Sequence, residues 1–208
     1  MSARRQRQMC IRDSVYTEDW LKKNWGEIKP IPLENIKTLN DGADINLDKN
    51  RNLKALYSPG HAKHHYTFYD EFSGTVFMGD TLGLIYPHGS FVQPNLPPPD
   101  FNQEILFETL NKIEKLNLNQ LAIAHFGIHK NPYELIRNAK ESINSWIEFI
   151  NKLPNISDTE ASEELVNWII TNYKSLGIDE GTINNYIGNG NFEMQITGVR
   201  RFLKNKKL

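Results

Sequence analysis

The stretch SPGHAKHHYTFYDEFSGTVFMGDT, residues 58–81, decides the fold of this chain. Its two apolar runs, HHYTFYD (64–70) and GTVFMGD (74–80), are joined by the turn-like EFSG, a pattern that predicts a β-hairpin. His61 follows a Ser-Pro-Gly turn ahead of the first run, and Asp80 ends the second run. The stretch therefore predicts two strands whose ends carry side chains able to bind a metal ion.

Strand patterns also lie on both sides of this hairpin. NLKALYSPG (52–60) predicts a strand that runs into a loop, and ENIKTLNDGADINL (34–47) predicts a hairpin about the turn signal Asn40-Asp41-Gly42. LAIAHFG (121–127) predicts a short buried strand that ends near His125. We expect these strands to form one sheet with the central hairpin.

Helical patterns fill most of the remaining chain. TEDWLKKNWG (17–26) predicts a short helix with Thr17 as its N-cap and Gly26 as its stop. Residues 101–118 predict an amphipathic helix, and further helices are predicted over 132–153, 159–177 and 191–207, with a short helix or turn over 181–190. One stripe of the 101–118 helix is apolar and consists of Ile105, Leu106, Leu110, Ile113 and Leu116. The order strand, helix, strand predicts an α/β layered domain.

The segment RRQRQMCIRDS, residues 4–14, has neither an apolar period nor turn chemistry. It resembles one translated reading frame of the common transposase sequencing adapter, so we expect residues 1–14 to be a non-native segment that takes no part in the fold. We expect the natural protein to begin upstream of Val15. The predicted organisation is then a truncated domain over residues 15–153, followed by a C-terminal helical extension over 154–208.

Excluding the adapter-like segment changes the bulk properties of the chain. The segment carries four arginines and one aspartate, so the formal net charge of −1 becomes −4 without it. A mildly acidic chain gives no reason to expect nucleic acid or an anionic membrane as a partner. The only cysteine, Cys10, is removed as well, which agrees with a reducing, cytoplasmic location. The sequence has no run of about 18 apolar residues, so it predicts no membrane-spanning helix.

Three side chains, each of which follows a predicted strand, are candidate metal ligands: His61, Asp80 and His125. Imidazole and carboxylate together suit zinc, iron or manganese. Each residue also has a simpler interpretation, since a histidine can be a polar strand end and an aspartate after glycine can form a turn or cap a helix. His88 and His129 are predicted to lie in loops.

The motifs SPGH (58–61), FMGDTL (77–82) and AHFG (124–127), in this order, resemble the second half of the metallo-β-lactamase fold superfamily, in its hydrolase-like branch. The resemblance covers about residues 35–150. It implies an α/β fold, namely the second half of an αββα sandwich, here followed by the helical extension. It also implies a small-molecule substrate and a hydroxide held by two metal ions, with zinc as the default metal and iron or manganese as alternatives.

The resemblance implies roles for individual residues. His61 would belong to the first metal site, Asp80 would bridge both metals, and His125 would complete the second site. His65 would lie in the outer shell and orient ligands by hydrogen bonding; its alternative is cross-strand packing in the hairpin. Thr81 would hydrogen-bond near Asp80 or cap the loop. Tyr86, Phe91 and Phe101 would line an apolar wall or pack in the core.

The family's HxHxDH signature is missing, and no histidine precedes His61. We therefore expect a fragment of a metallo-hydrolase that is inactive and poorly soluble as given. Two alternatives stay open. One is a non-catalytic binding or scaffolding protein of the same fold. The other is the di-iron oxidoreductase branch, although residues 155–208 are too few for the flavin domain that usually follows in that branch.

Overall fold

The computed structural model describes residues 17–26, 30–48, 51–86, 91–125, 127–188 and 190–206. The adapter-like segment 1–14 and His88 lie outside these ranges. The chain divides into two compact units, residues 1–39 and 40–208. The first unit contains helix α1 (Glu18–Trp25) and a 3₁₀ turn (Leu33–Asn35). The Thr17 hydroxyl accepts the Trp20 N–H at 3.2 Å, which confirms the predicted N-cap.

The second unit contains one six-stranded sheet and five helices among the described residues. The strands are β1 (Ala43–Asp48), β2 (Arg51–Tyr57), β3 (Tyr66–Asp70), β4 (Thr75–Gly79), β5 (Gln120–Ile123) and β6 (Gly127–Lys130). The helices are α2 (Gln103–Glu114), α3 (Pro132–Lys152), α4 (Asp158–Ser175), α5 (Glu180–Gly188) and α6 (Phe192–Lys206). This composition confirms the predicted α/β class, and His129, predicted to lie in a loop, is in fact part of β6.

Strand direction brings three loops to one edge of the sheet. The strand order is β1-β2-β3-β4-β5-β6, with β4 and β5 parallel and every other neighbouring pair antiparallel. Because β2 and β4 are both antiparallel to β3, they run in the same direction, and β5 runs with them. The carboxyl ends of β2, β4 and β5 therefore share one edge, which is where α/β sheets bind ligands.

The hairpin predicted about Asn40-Asp41-Gly42 is wrong. Among the described residues no strand precedes this turn, and β1 begins after it and pairs with β2. The turn is used differently: the Asp41 carboxylate accepts the Tyr57 N–H at 2.8 Å and binds the Lys112 ammonium at 2.8 and 2.9 Å. These contacts are non-local, so the turn signal alone did not show which strand pair it would serve.

The core lies between one face of the sheet and the helices. Leu56, Tyr69, Val76 and Leu121 project from this face into a single apolar cluster with residues of all five helices. The predicted stripe of α2 is confirmed at Leu106, Leu110 and Ile113, which are buried. Ile105 is 39% exposed. Neighbouring side chains of a helix are about 100° apart around its axis, so Ile105 lies to one side of the buried stripe that contains Leu106.

The C-terminal helices match the sequence patterns closely. The start of α4 is a capping box, in which the Ser157 hydroxyl accepts the Glu160 N–H and the Glu160 carboxylate accepts the Ser157 N–H.

Tyr86 and Phe101, two of the loop aromatics, are buried and pack on Tyr186 and Phe202 of this helical region. Among the described residues, every helix is too short or too polar to cross a membrane.

Candidate metal centre

His61, Asp80 and His125 lie at the shared carboxyl edge of β2, β4 and β5. Asp80 follows β4 directly, His125 comes two residues after β5, and His61 comes four residues after β2. Asp80 lies between the two histidines: His125 Nε2 is 3.0 Å from its Oδ1, and His61 Nε2 is 3.9 Å from its Oδ2. Each imidazole thus faces a different oxygen of one carboxylate.

The loop that carries His61 is anchored to helix α2. The Asn102 N–H donates to the Gly60 carbonyl at 2.8 Å, and the Thr109 hydroxyl donates to the Pro59 carbonyl at 2.7 Å. Gly60 has φ +125°, and a Cβ there would lie 2.4 Å from the Leu106 Cα. The loop therefore requires glycine, as expected for a backbone that turns sharply ahead of His61.

A main-chain acceptor determines the tautomer of His61. Its Nδ1 is 3.0 Å from the Asn95 carbonyl oxygen, which can only accept, so Nδ1 carries the proton. Burial lowers the pKa of His61 below its ordinary value, which keeps the ring neutral at neutral pH. The lone pair of a neutral Nδ1–H imidazole lies on Nε2, and this is the atom that faces Asp80.

His65 holds the backbone of the Asp80 loop. Its Nε2 accepts the Asp80 N–H at 3.2 Å, and its Nδ1 is 3.0 Å from the Thr81 hydroxyl. Because Nε2 accepts, the proton of the neutral ring is on Nδ1 and is donated to Thr81. Burial lowers the pKa of His65 to about 4. A Cβ at Gly79 would lie 2.6 Å from His65 Nε2, so the ring also requires glycine at that position.

The three side chains are of the types that bind metal ions in proteins, but they are too few to hold one ion. Two imidazoles and a carboxylate are ligands that zinc, iron and manganese accept, and the Asp80 and His125 side chains are 36% and 43% exposed. However, within the described ranges no group of three His, Cys, Asp or Glu side chains is spaced to hold one ion. His61, Asp80 and His125 therefore meet at this edge of the sheet without forming, by themselves, a ligand set for one ion.

Sequence reasoning missed Asn95 as a partner of His61. The contact uses a backbone carbonyl in the proline-rich loop, 34 residues along the chain, and such a carbonyl leaves no side-chain signal. His64, which had no assigned role, is exposed. His129 lies in β6, and its Nε2 is buried without a hydrogen-bond partner among the described residues.

The fold resembles two solved structures. A metallo-β-lactamase family protein from Thermus thermophilus matches 99% of this chain at a TM-score of 0.64 and 17% identity. An archaeal metallo-β-lactamase superfamily protein from Sulfolobus tokodaii matches 91% of the chain at a TM-score of 0.53 and 20% identity. At such identities the likeness shows the fold alone, which is the metallo-β-lactamase fold.

The present chain spans 61% of the Thermus protein and 67% of the Sulfolobus protein. No protein-family model and no curated protein matches it in sequence.

Proposed function

We propose that this chain, which has the metallo-β-lactamase fold, is part of a metal-dependent hydrolase in which His61, Asp80 and His125 hold part of a dinuclear zinc centre. The observation that supports this most strongly is the position of the Asp80 carboxylate, with His61 Nε2 and His125 Nε2 facing different oxygens. A carboxylate with one imidazole at each oxygen is suited to bridge two cations. Iron and manganese accept the same donors.

Each side chain has a separate task in this proposal. Asp80 holds negative charge between the two histidines, His61 presents Nε2 because Asn95 binds its Nδ1, and His65 holds the Asp80 main chain. His65 is thus a positioning residue that acts through Asp80, as outer-shell partners of metal ligands do. When bound, the metal ions supply Lewis-acid activation of water for attack on a small-molecule substrate.

The proposal also assigns the remaining ligands to another part of the whole protein. A catalytic zinc ion typically has three protein ligands, whereas the residues found here give each ion one imidazole and a share of one carboxylate. The sequence contains no HxHxDH, and about two fifths of the Thermus protein has no counterpart in this chain. We infer that the 208-residue chain alone is inactive. A cytoplasmic location fits the lack of cysteine in residues 15–208.

The test begins with the source DNA. We would sequence across the codon of Val15, express the complete reading frame, and measure zinc content and hydrolysis of chromogenic ester, thioester, lactone and phosphodiester substrates. We expect an upstream HxHxDH. We also expect Asp80→Asn and His125→Ala to lower zinc affinity by at least the roughly 10–100-fold that loss of an outer-shell partner costs.

His64→Ala is the matched control, because His64 is exposed and adjacent to His65. It should leave zinc content and activity unchanged. A complete frame without HxHxDH would refute the hydrolase and favour a binding or scaffolding role. Full zinc occupancy of the Asp80→Asn protein would refute the assignment of the bridging ligand.

A further inference from the structure

Gln195, a buried side chain of helix α6, contacts the proline-rich loop (residues 91–100) at the point where that loop meets His61. The residue is 6% exposed. Its Oε1 accepts the N–H of Leu96, and its Nε2 donates to Asn95 Oδ1 at 3.4 Å. Gln195 lies 99 residues beyond Leu96 in the chain, so these contacts join the C-terminal helical region to a loop of the candidate metal centre.

A single peptide unit connects Gln195 with His61. The Asn95 carbonyl and the Leu96 N–H belong to the same peptide bond: the carbonyl accepts from His61 Nδ1 at 3.0 Å, and the N–H donates to Gln195. A trans peptide unit is planar, and its carbonyl and its N–H point to opposite sides. A hydrogen bond that fixes the N–H therefore also fixes the direction of the carbonyl. Gln195 and His61 thus bind opposite sides of one rigid group.

Helix α6 packs closely on the main chain of this loop. A Cβ at Gly198 would collide with the Leu96 carbonyl oxygen and would lie 3.1 Å from the Pro97 carbonyl carbon. Glycine at this position therefore allows the helix to approach the loop. Gln195 is three residues earlier and lies on the same face of the helix, so the close approach brings its side-chain amide within reach of the Leu96 N–H.

Two acceptors compete for the single proton of the neutral His61 ring. The Asn95 carbonyl oxygen is 3.0 Å from Nδ1, and Asp80 Oδ2 is 3.9 Å from Nε2. A proton on Nε2 would be attracted by the Asp80 carboxylate, and it would occupy the nitrogen that a metal ion needs. A proton on Nδ1 leaves the Nε2 lone pair available. The direction of the Asn95 carbonyl therefore decides whether His61 can act as a ligand.

We propose that Gln195 is a positioning residue of the metal centre, which acts through the Asn95–Leu96 peptide to hold His61 in the tautomer with an available Nε2. Leu96 is fully buried, so without Gln195 its N–H would lose its acceptor, and rotation of the peptide toward another acceptor would turn the carbonyl away from His61. The inference rests on the proposed function, since it takes His61 as a metal ligand. It makes the C-terminal helical region part of the centre.

The experiment measures the imidazole ¹⁵N shifts of the histidine-labelled 208-residue chain, without added metal and at one neutral pH. Magic-angle-spinning NMR of sedimented protein is used, because association of the chain does not interfere with it. The chain has six histidines, and His61→Gln identifies the signals of His61. We expect the Nδ1–H form of His61 to predominate in the unchanged chain.

Gln195→Leu is the decisive variant, because leucine is similar in volume to glutamine and can make neither hydrogen bond. It should lower the ratio of the Nδ1–H to the Nε2–H form of His61 at least about fivefold, the effect of one hydrogen bond. Asn95→Ala removes only the side-chain contact and keeps the Leu96 N–H bond to Gln195. It should therefore change the His61 ratio less than Gln195→Leu does.

Ile196→Val is the matched structural control, since Ile196 is a fully buried, apolar neighbour of Gln195 in the same helix. It should lower the stability to urea without changing the His61 ratio. An unchanged ratio in Gln195→Leu would overturn the inference, and so would an equal change in Ile196→Val.

This inference and the proposed function fail separately. Zinc binding by the complete protein together with an unchanged His61 ratio in Gln195→Leu would refute the role of Gln195 alone. A complete reading frame without HxHxDH would refute the hydrolase, and with it the metal centre, whatever the His61 ratio is.

Discussion

His65 binds the main chain of the residue that it was expected to support: its Nε2 accepts the N–H of Asp80 at 3.2 Å. The contact joins the start of one strand of the central hairpin to the end of the other. It fixes the backbone from which the Asp80 carboxylate projects, and the Thr81 hydroxyl bound to Nδ1 holds the other side of the ring. The hairpin thereby presents Asp80 in one orientation toward His61 and His125.

The first prediction concerns Gly79→Ala. Gly79 has φ +54°, and an added Cβ would lie 2.6 Å from His65 Nε2. The substitution combines the cost of a left-handed conformation, about 1–2 kcal/mol, with displacement of the His65 ring. We expect a clear decrease in the free energy of unfolding, measured by urea denaturation.

Gly177→Ala is the matched control for Gly79→Ala. Gly177 also has a positive φ, +76°, but an added Cβ would meet nothing within 4 Å. Its cost should therefore be the conformational part alone. Equal losses in the two variants would show that the contact with His65 has no energetic importance.

The second prediction concerns the tautomers of His61 and His65. Both rings should carry their proton on Nδ1 at neutral pH, because His61 Nδ1 faces the Asn95 carbonyl and His65 Nε2 accepts from the Asp80 N–H. Long-range ¹H–¹⁵N spectra of the imidazole nitrogens distinguish the two tautomers. Observation of the Nε2–H form of His61 would contradict the geometry that presents Nε2 to Asp80.

The third prediction concerns the acid sensitivity of the fold. The Arg51 guanidinium donates to the buried Asp70 carboxylate and, together with the Ser73 hydroxyl, lowers its pKa in the folded state. A lowered folded pKa means that the stabilisation is complete above the unfolded pKa, which is about 3.9, and is lost as the pH falls through the folded pKa. Asp70→Asn should cost about 1–3 kcal/mol at pH 7.

This cost should shrink as the pH is lowered below about 4, because the wild-type carboxyl then becomes protonated as well. Unfolding free energies at several pH values between neutral and strongly acidic conditions test this. Asp44→Asn, at an exposed position of β1, is the control and should have little effect at any pH. An Asp70→Asn cost that is independent of pH would contradict the ion pair.

The fourth prediction concerns self-association. Phe68, Phe77, Ala122 and Ile128 form one cross-strand row, on the sheet face opposite to that packed on the helices. Phe77 and Ile128 in this row are 42% and 62% exposed. Exposed apolar rows on a sheet promote association, so we expect the 208-residue chain to form oligomers or aggregates in sedimentation velocity.

A double substitution tests whether this row is responsible. Phe77→Gln with Ile128→Gln should shift the chain toward the monomer. Phe72→Gln is the control, since Phe72 is 83% exposed but lies in the turn between β3 and β4. A monomeric wild-type chain with a cooperative thermal transition would refute the prediction.

The sequence by itself determined the identity of most elements. The helix that begins at Pro132 was recognisable from its local apolar period, and the helix that begins at Asp158 from its period and its local cap. Strands β3 and β4 were recognisable because EFSG separates two short apolar runs. The placement of Asp80 directly after a strand could be read from the same local pattern. In each case the information lies within a few residues of the element that it specifies.

Only the tertiary structure decided which groups meet. The Asn95 carbonyl selects the tautomer of His61 across 34 residues, and Asp41 binds Lys112 across 71 residues, which turns an apparent hairpin signal into an anchor for β1. These relationships depend on packing between elements distant in the chain, and no local period or motif encodes them.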